Sequence, residues 1–109
     1  MTSLAYIVSA TLPSPAMRER YIAWLKAGHL AEVLKAGALS GMIVQLDEPT
    51  EPIVVQTRYI FQSREEYDRY TTEYAPALRA EGLARFGPET GVRFSREIGS
   101  VVGQAPICR

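Results

Sequence analysis

The chain is poor in the residues on which several kinds of chemistry depend. It has one cysteine, one histidine, no net charge and no long apolar run. A single thiol, Cys108, cannot close an internal disulfide, so a reducing cytoplasm is the simplest compartment. It stands next to the last residue, where chain ends are poorly ordered, and is not expected to be a catalytic thiol. One histidine and a remote cysteine leave no histidine-rich metal site. Twelve basic side chains balance twelve acidic ones, so the electrostatic footprint of a nucleic-acid or anionic-membrane binder is missing. No apolar run nears the ~20 residues that span a bilayer. The first residues lack the basic start and apolar core of a secretion signal. The glycine-rich fingerprints of mononucleotide and dinucleotide sites are absent, as is the nucleophile elbow of serine hydrolases. Gly87-Pro-Glu-Thr-Gly91 reads only as a turn. The expectation is a protein with neither metal nor cofactor, and with no nucleic-acid or membrane partner.

The chain does have enough apolar surface for one core. Its 109 residues, 47% of them apolar, suit a single domain that folds without disulfides or metal. Residues 1–103 are read as that domain and 104–109 as a tail. Leu4 to Leu12 alternates, with Tyr6, Val8, Ala10 and Leu12 on one side, and reads as a strand. Ser14 is a suitable N-cap and Pro15 a suitable first helical residue. The helix that follows changes its apolar face. With Met17 set at zero, Tyr21, Trp24 and Leu25 fall near ~40°, ~340° and ~80°, whereas Leu30, Val33 and Leu34 fall near ~220°, ~160° and ~260°. The economical reading is a break at Gly28, which lacks a Cβ, and a second short helix over about Leu30 to Lys35 capped by Gly37.

Ala38 to Asp47 reads as a strand with Met42, Val44 and Leu46 on one face. A proline-bearing turn then leads to the strongest strand, Ile53 to Gln62. Ser63 and Glu66 have capping-box spacing. The helix they start carries Tyr67, Tyr70 and Tyr74, restarts near Ala75-Pro76 and runs to about Arg85. Gly91 to Val102 is the last strand, with Val92, Phe94 and Ile98 of one parity.

The order β-α-β-β-α-β predicts an α+β, ferredoxin-like sandwich: a four-stranded antiparallel sheet with interrupted helices on one face. The open face is assigned Ile7, Ser9, Ile43, Gln45, Val54, Gln56, Arg58, Ile60, Arg93 and Ser95. That is more apolar than a solvated face needs, and predicts a homodimer through it, a closed barrel with helices outside. The alternative is a monomer with a wet, half-polar face.

His29 is the candidate catalytic residue, because an imidazole exchanges protons near neutrality and a helix break can aim it into a cavity. The alternative is a surface histidine or one that caps the next helix. Most of the aromatic residues are core, but Tyr6, Trp24, Tyr59 and Tyr74 are chosen as substrate-binding residues lining a helix–sheet pocket. Arg79 is added to hold a carboxylate or enolate, unless it is solvated or paired with Glu73 or Glu81.

Three motifs carry a resemblance: Trp24-Leu-Lys-Ala-Gly-His29-Leu-Ala-Glu-Val33, Tyr67-Asp-Arg-Tyr70 and Tyr74-Ala-Pro76-Ala-Leu-Arg79, with Arg85-Phe86-Gly87 after them. Over residues 4 to 102 the chain resembles the dimeric α/β barrel superfamily, and within it a small bacterial domain family of unknown function. The resemblance implies a homodimer with one cleft per subunit. Enzymes of that superfamily include cofactor-independent monooxygenases, polyketide cyclases, muconolactone-type isomerases and haem-dependent members, for which His29 is the sole available ligand. It does not choose among them. An enzyme acting on a small aromatic or cyclic compound, a non-catalytic small-molecule-binding module and a structural dimerisation module all remain open.

Overall fold

The computed structural model describes residues 2–105. Its sheet is built around β1 (Leu4–Leu12), which pairs antiparallel with β3 (Ile53–Phe61) on one side and β4 (Arg93–Ser100) on the other. β2 (Ser40–Gln45) adds to β3, giving the order β2-β3-β1-β4. Residues directly opposite in a ladder share a face. Tyr6 lies opposite both Tyr59 and Ile98, and Ala10 opposite both Val55 and Phe94. These form the helix-covered face, and Tyr6, Tyr59, Ala10 and Val55 are buried. The architecture is the four-stranded antiparallel α+β, ferredoxin-like fold that the element order predicts.

The face assignment fails on β2. Ile43 lies opposite Thr57 and packs on the buried cluster around Val55, so Ile43 and Gln45 belong to the helix side. Met42 and Val44, opposite Arg58 and Gln56, are on the open face instead. Gly41 explains the misreading. It faces Tyr59 and Leu30, whose side chains fill the space its own would occupy. An inward position without a side chain leaves no apolar signal.

α1 (Pro15–Trp24) starts as its sequence dictates, with the Met17 amide donating to Ser14 Oγ at 3.1 Å. The expected break is a wide π turn over Leu25–His29, followed directly by α2 (Leu30–Lys35). Gly28 lies inside that turn with φ 176°, extended backbone rather than the left-handed region, so its φ makes no demand for glycine. The turn inserts one extra residue, which rotates everything after it back by about 100° and brings Val33 from ~160° to ~60°, beside Leu25 at ~80°. The second helix therefore does not aim all its apolar residues away from the first: Val33 is 1% exposed and Leu34 36%. Gly37, with φ 128°, closes α2, and its amide donates to the Leu34 carbonyl at 3.1 Å.

α3 (Arg64–Glu73) is capped by Ser63, whose Oγ accepts from the Glu66 amide at 3.2 Å. The Glu66 carboxylate lies 3.4 Å from Arg69. The helix ends at Tyr74 and restarts as α4 (Ala75–Arg85) with Pro76 in its first turn. The core has two halves. One gathers Tyr6, Val33, Tyr59, Phe61, Tyr67, Tyr70 and Ala75; the other gathers Ala10, Tyr21, Leu25, Val55, Phe86 and Val92. No helix among the described residues is long and apolar enough to cross a membrane.

Candidate functional site

A cleft opens where the two halves of the core meet. It is narrow, with an interior volume of about 40 Å³, so a ring-sized ligand requires side chains at its mouth to shift. Tyr6, Thr57 and Tyr59 form its sheet-side floor, with Phe94 and Arg96 from β4 beside them. Tyr21, Trp24, Leu25, His29 and Val33 come from the α1–α2 region, and Tyr70, Leu78, Arg79, Gly82 and Leu83 from α3 and α4. Alternation delivers the floor, since Thr57 and Tyr59 share a parity, as do Phe94 and Arg96.

The π turn delivers His29. Its ring stacks on Trp24, with centroids 4.2 Å apart and planes 22° from parallel. Trp24 in turn stacks on Tyr21 at 6.1 Å. Although His29 occupies the N-cap position of α2, its side chain makes no capping hydrogen bond. Nδ1 is buried and has no hydrogen-bond partner. Burial lowers the imidazole pKa below its ordinary 6.5, against the opposing pull of Glu81 and Glu32. At neutral pH the ring is uncharged, with one nitrogen free to accept a proton.

Arg79 approaches from α4. Its Nη2 donates to the Tyr6 hydroxyl at 3.3 Å, while its buried Nε donates to nothing in the protein. Burial works against its charge, but the Tyr6 hydrogen bond and the nearby phenols outweigh it and raise its pKa. Burial also raises the pKa of Tyr21, Tyr59 and Tyr70. These tyrosines are therefore neutral hydroxyls, able to hydrogen-bond a ligand but not to serve as bases at neutral pH.

Of the residues chosen from sequence, the cleft thus brings together His29, Tyr6, Trp24, Tyr59 and Arg79. Tyr74 is not among them. It is 41% exposed and borders a separate groove with Glu32, Lys35 and Ala77. The helix restart causes this. Tyr74 takes φ −121°, and the inward position moves one residue on to Ala75, which is fully buried. Tyr70 lines the cleft instead. Tyr21, Thr57, Tyr70 and Arg96 also line the cleft and were not chosen from sequence; Thr57 shares the parity of Tyr59, and Arg96 that of Phe94. Among the described residues, no three His, Cys, Asp or Glu side chains cluster as metal ligands would. Cys108 lies outside the described residues.

Known structures with this architecture include dimeric ferredoxin-like proteins, oxygenases and proteins of unknown function. A dimeric ferredoxin-like protein from an uncultured marine organism aligns with a TM-score of 0.80 at 13% identity, covering 96% of this chain and all of the other. A monooxygenase from the gene ActVA-Orf6 of Streptomyces coelicolor, solved with the ligand nanaomycin D, aligns with a TM-score of 0.72 at 15% identity, covering 98% and 94%. SnoaB, a cofactor-independent oxygenase from Streptomyces nogalater, aligns with a TM-score of 0.63 at 12% identity, covering 96% and 98%. At such identities the likeness establishes the fold alone. Among curated protein sequences none matches. Residues 4–100 match the model of the Domain of unknown function (DUF4286), and the chain belongs to that family.

Proposed function

We propose that the protein is a homodimeric, cofactor-independent enzyme of the monooxygenase, isomerase or cyclase type. Its substrate is a small aromatic or cyclic compound held in the cleft, and His29 is the acid/base. The observation that carries this reading is His29 itself: a neutral imidazole on the cleft wall, with a buried Nδ1 that no protein group satisfies. A neutral imidazole on a cleft wall suits a general base. Trp24, Tyr6 and Tyr59 supply flat apolar walls with a few polar tips, as an aromatic ligand requires. The cofactor-independent oxygenase among the structural neighbours is consistent with chemistry that needs only a base and a shaped pocket.

The step common to the three reaction types is removal of a proton from a carbon next to a carbonyl. His29 takes the proton and the electron pair stays on the substrate as an enolate, to which the Tyr59 and Tyr70 hydroxyls of the cleft donate. Return of the proton to another carbon gives an isomer. Attack of the enolate on a carbonyl of the same molecule gives a ring. Reaction with dioxygen converts a CH₂ group to a ketone and releases water, so the atoms balance without an external reductant.

The test is a panel of anthrones and cyclic β-dicarbonyls, followed by absorbance and by oxygen uptake, with wild type and His29→Gln. Loss of the base should slow turnover by about 10²–10⁴-fold. Equal rates in the two proteins would remove His29 from this role. Saturable binding without any product would favour the second reading, a small-molecule-binding module on the same fold.

A further inference from the structure

The cleft's arginines have no counter-ions. Arg79 and Arg96 line the cleft, and both also line an adjoining groove between α4 and β4, where Arg93 joins them. Among the described residues no aspartate or glutamate lines either space. The side-chain ion pairs among those residues engage Arg18, Lys35, Arg64 and Arg69, and none of these three arginines. Arg79's hydrogen-bonding partner is the Tyr6 hydroxyl rather than a carboxylate, and its buried Nε has none. Arg96 lies against the Phe94 ring at 5.8 Å, and its charge acts on Tyr21 inside the cleft. The carboxylates that act on the cleft from outside, Glu81 and Glu32, do so at His29. Positive charge therefore gathers at the β4 end and negative charge at the His29 end.

A partly buried guanidinium without an anion is costly unless a ligand completes it. Its planar fork matches a carboxylate in two parallel hydrogen bonds. We infer that the cleft takes an aromatic carboxylate, held at the β4 end by Arg79 and Arg96, with its ring system reaching toward Trp24 and His29. This rests on reading the cleft as a small-molecule site, and it adds the charge of the ligand and its direction. The surface groove holding Arg93 then draws the anion to the mouth.

Two probes of one shape separate the claims: 2-naphthoate and its neutral counterpart 2-naphthamide, titrated calorimetrically into wild-type protein at low ionic strength. The naphthoate should bind at least about tenfold more tightly, the scale of a charge-assisted pair. Arg96→Ala, at an exposed position that carries little packing, should weaken naphthoate severalfold and leave naphthamide unchanged. Arg79→Met should do the same more strongly. Equal affinities for the two probes, or an Arg96→Ala variant that loses both alike, would overturn the anionic preference and leave the small-molecule cleft standing. If wild type binds neither probe, the aromatic site and the inference built on it fall together.

Discussion

Gly41→Ala tests the packing that shapes the cleft. A Cβ built at Gly41 would stand 2.9 Å and 3.0 Å from two ring carbons of Tyr59 and 3.1 Å from a methyl of Leu30. Carbon atoms in contact prefer about 3.5–4.0 Å, so the ring has to yield by roughly half an ångström or more. Tyr59 is 1% exposed, stacked on Tyr6 with centroids 5.9 Å apart, and cannot retreat into solvent. Overpacking of this kind costs about 1–3 kcal/mol. In a domain of this size each kcal/mol lowers the thermal midpoint by roughly 4–8 °C. Tyr59 also forms the cleft floor, so the movement that relieves the clash alters the cavity. Circular dichroism melts of wild type and variant read the cost directly. An unchanged or raised melting temperature would show that β2 does not press Gly41 onto Tyr59, and the reassigned face of that strand would be wrong.

Three further outcomes follow from named groups. His29 has a lowered pKa in the fold, so between that value and 6.5 the unfolded chain binds a proton that the folded one refuses. Stability should therefore fall as pH drops from 6.5 through the folded-state pKa, and urea melts of His29→Gln should lack that slope. Ser63→Ala removes the acceptor for the Glu66 amide and should cost about 1 kcal/mol by the same melts; no loss would mean that the cap contributes nothing. The proposed dimer buries the open face, where Ile7 and Ile60 stand, so Ile7→Glu should give monomers by light scattering while wild type gives dimers. A wild-type monomer would contradict the pairing.

Period-two alternation made β1, β3 and β4 legible, and with them Tyr6 and Tyr59 of the cleft floor. β2 was legible as a strand but its face was not, because its inward residues are Gly41, Ile43 and Gln45, while its outward ones include Met42 and Val44. Apolarity there marks the face left open rather than the face packed beneath helices. The change of helical face near Gly28 was visible as a phase conflict. Its resolution was not, since a clean break and an inserted residue fit the same conflict, and only the inserted residue returns Val33 to the sheet. Tyr74 and Tyr70 are equally aromatic and stand four apart. The backbone turn before Pro76 decides between them, and spacing alone does not contain it. His29 could be picked out as the lone histidine at a helix irregularity. Its stacking on Trp24 and its unsatisfied Nδ1 are tertiary facts.

The central claim is that His29 sits in the cleft as a neutral base. The chain has one histidine, so the proton NMR titration of its imidazole resonance in tag-free protein is free of assignment ambiguity. The account predicts a midpoint below the ordinary 6.5, because burial disfavours the charged ring. A midpoint at or above 6.5 would describe a solvated or carboxylate-paired histidine and contradict it.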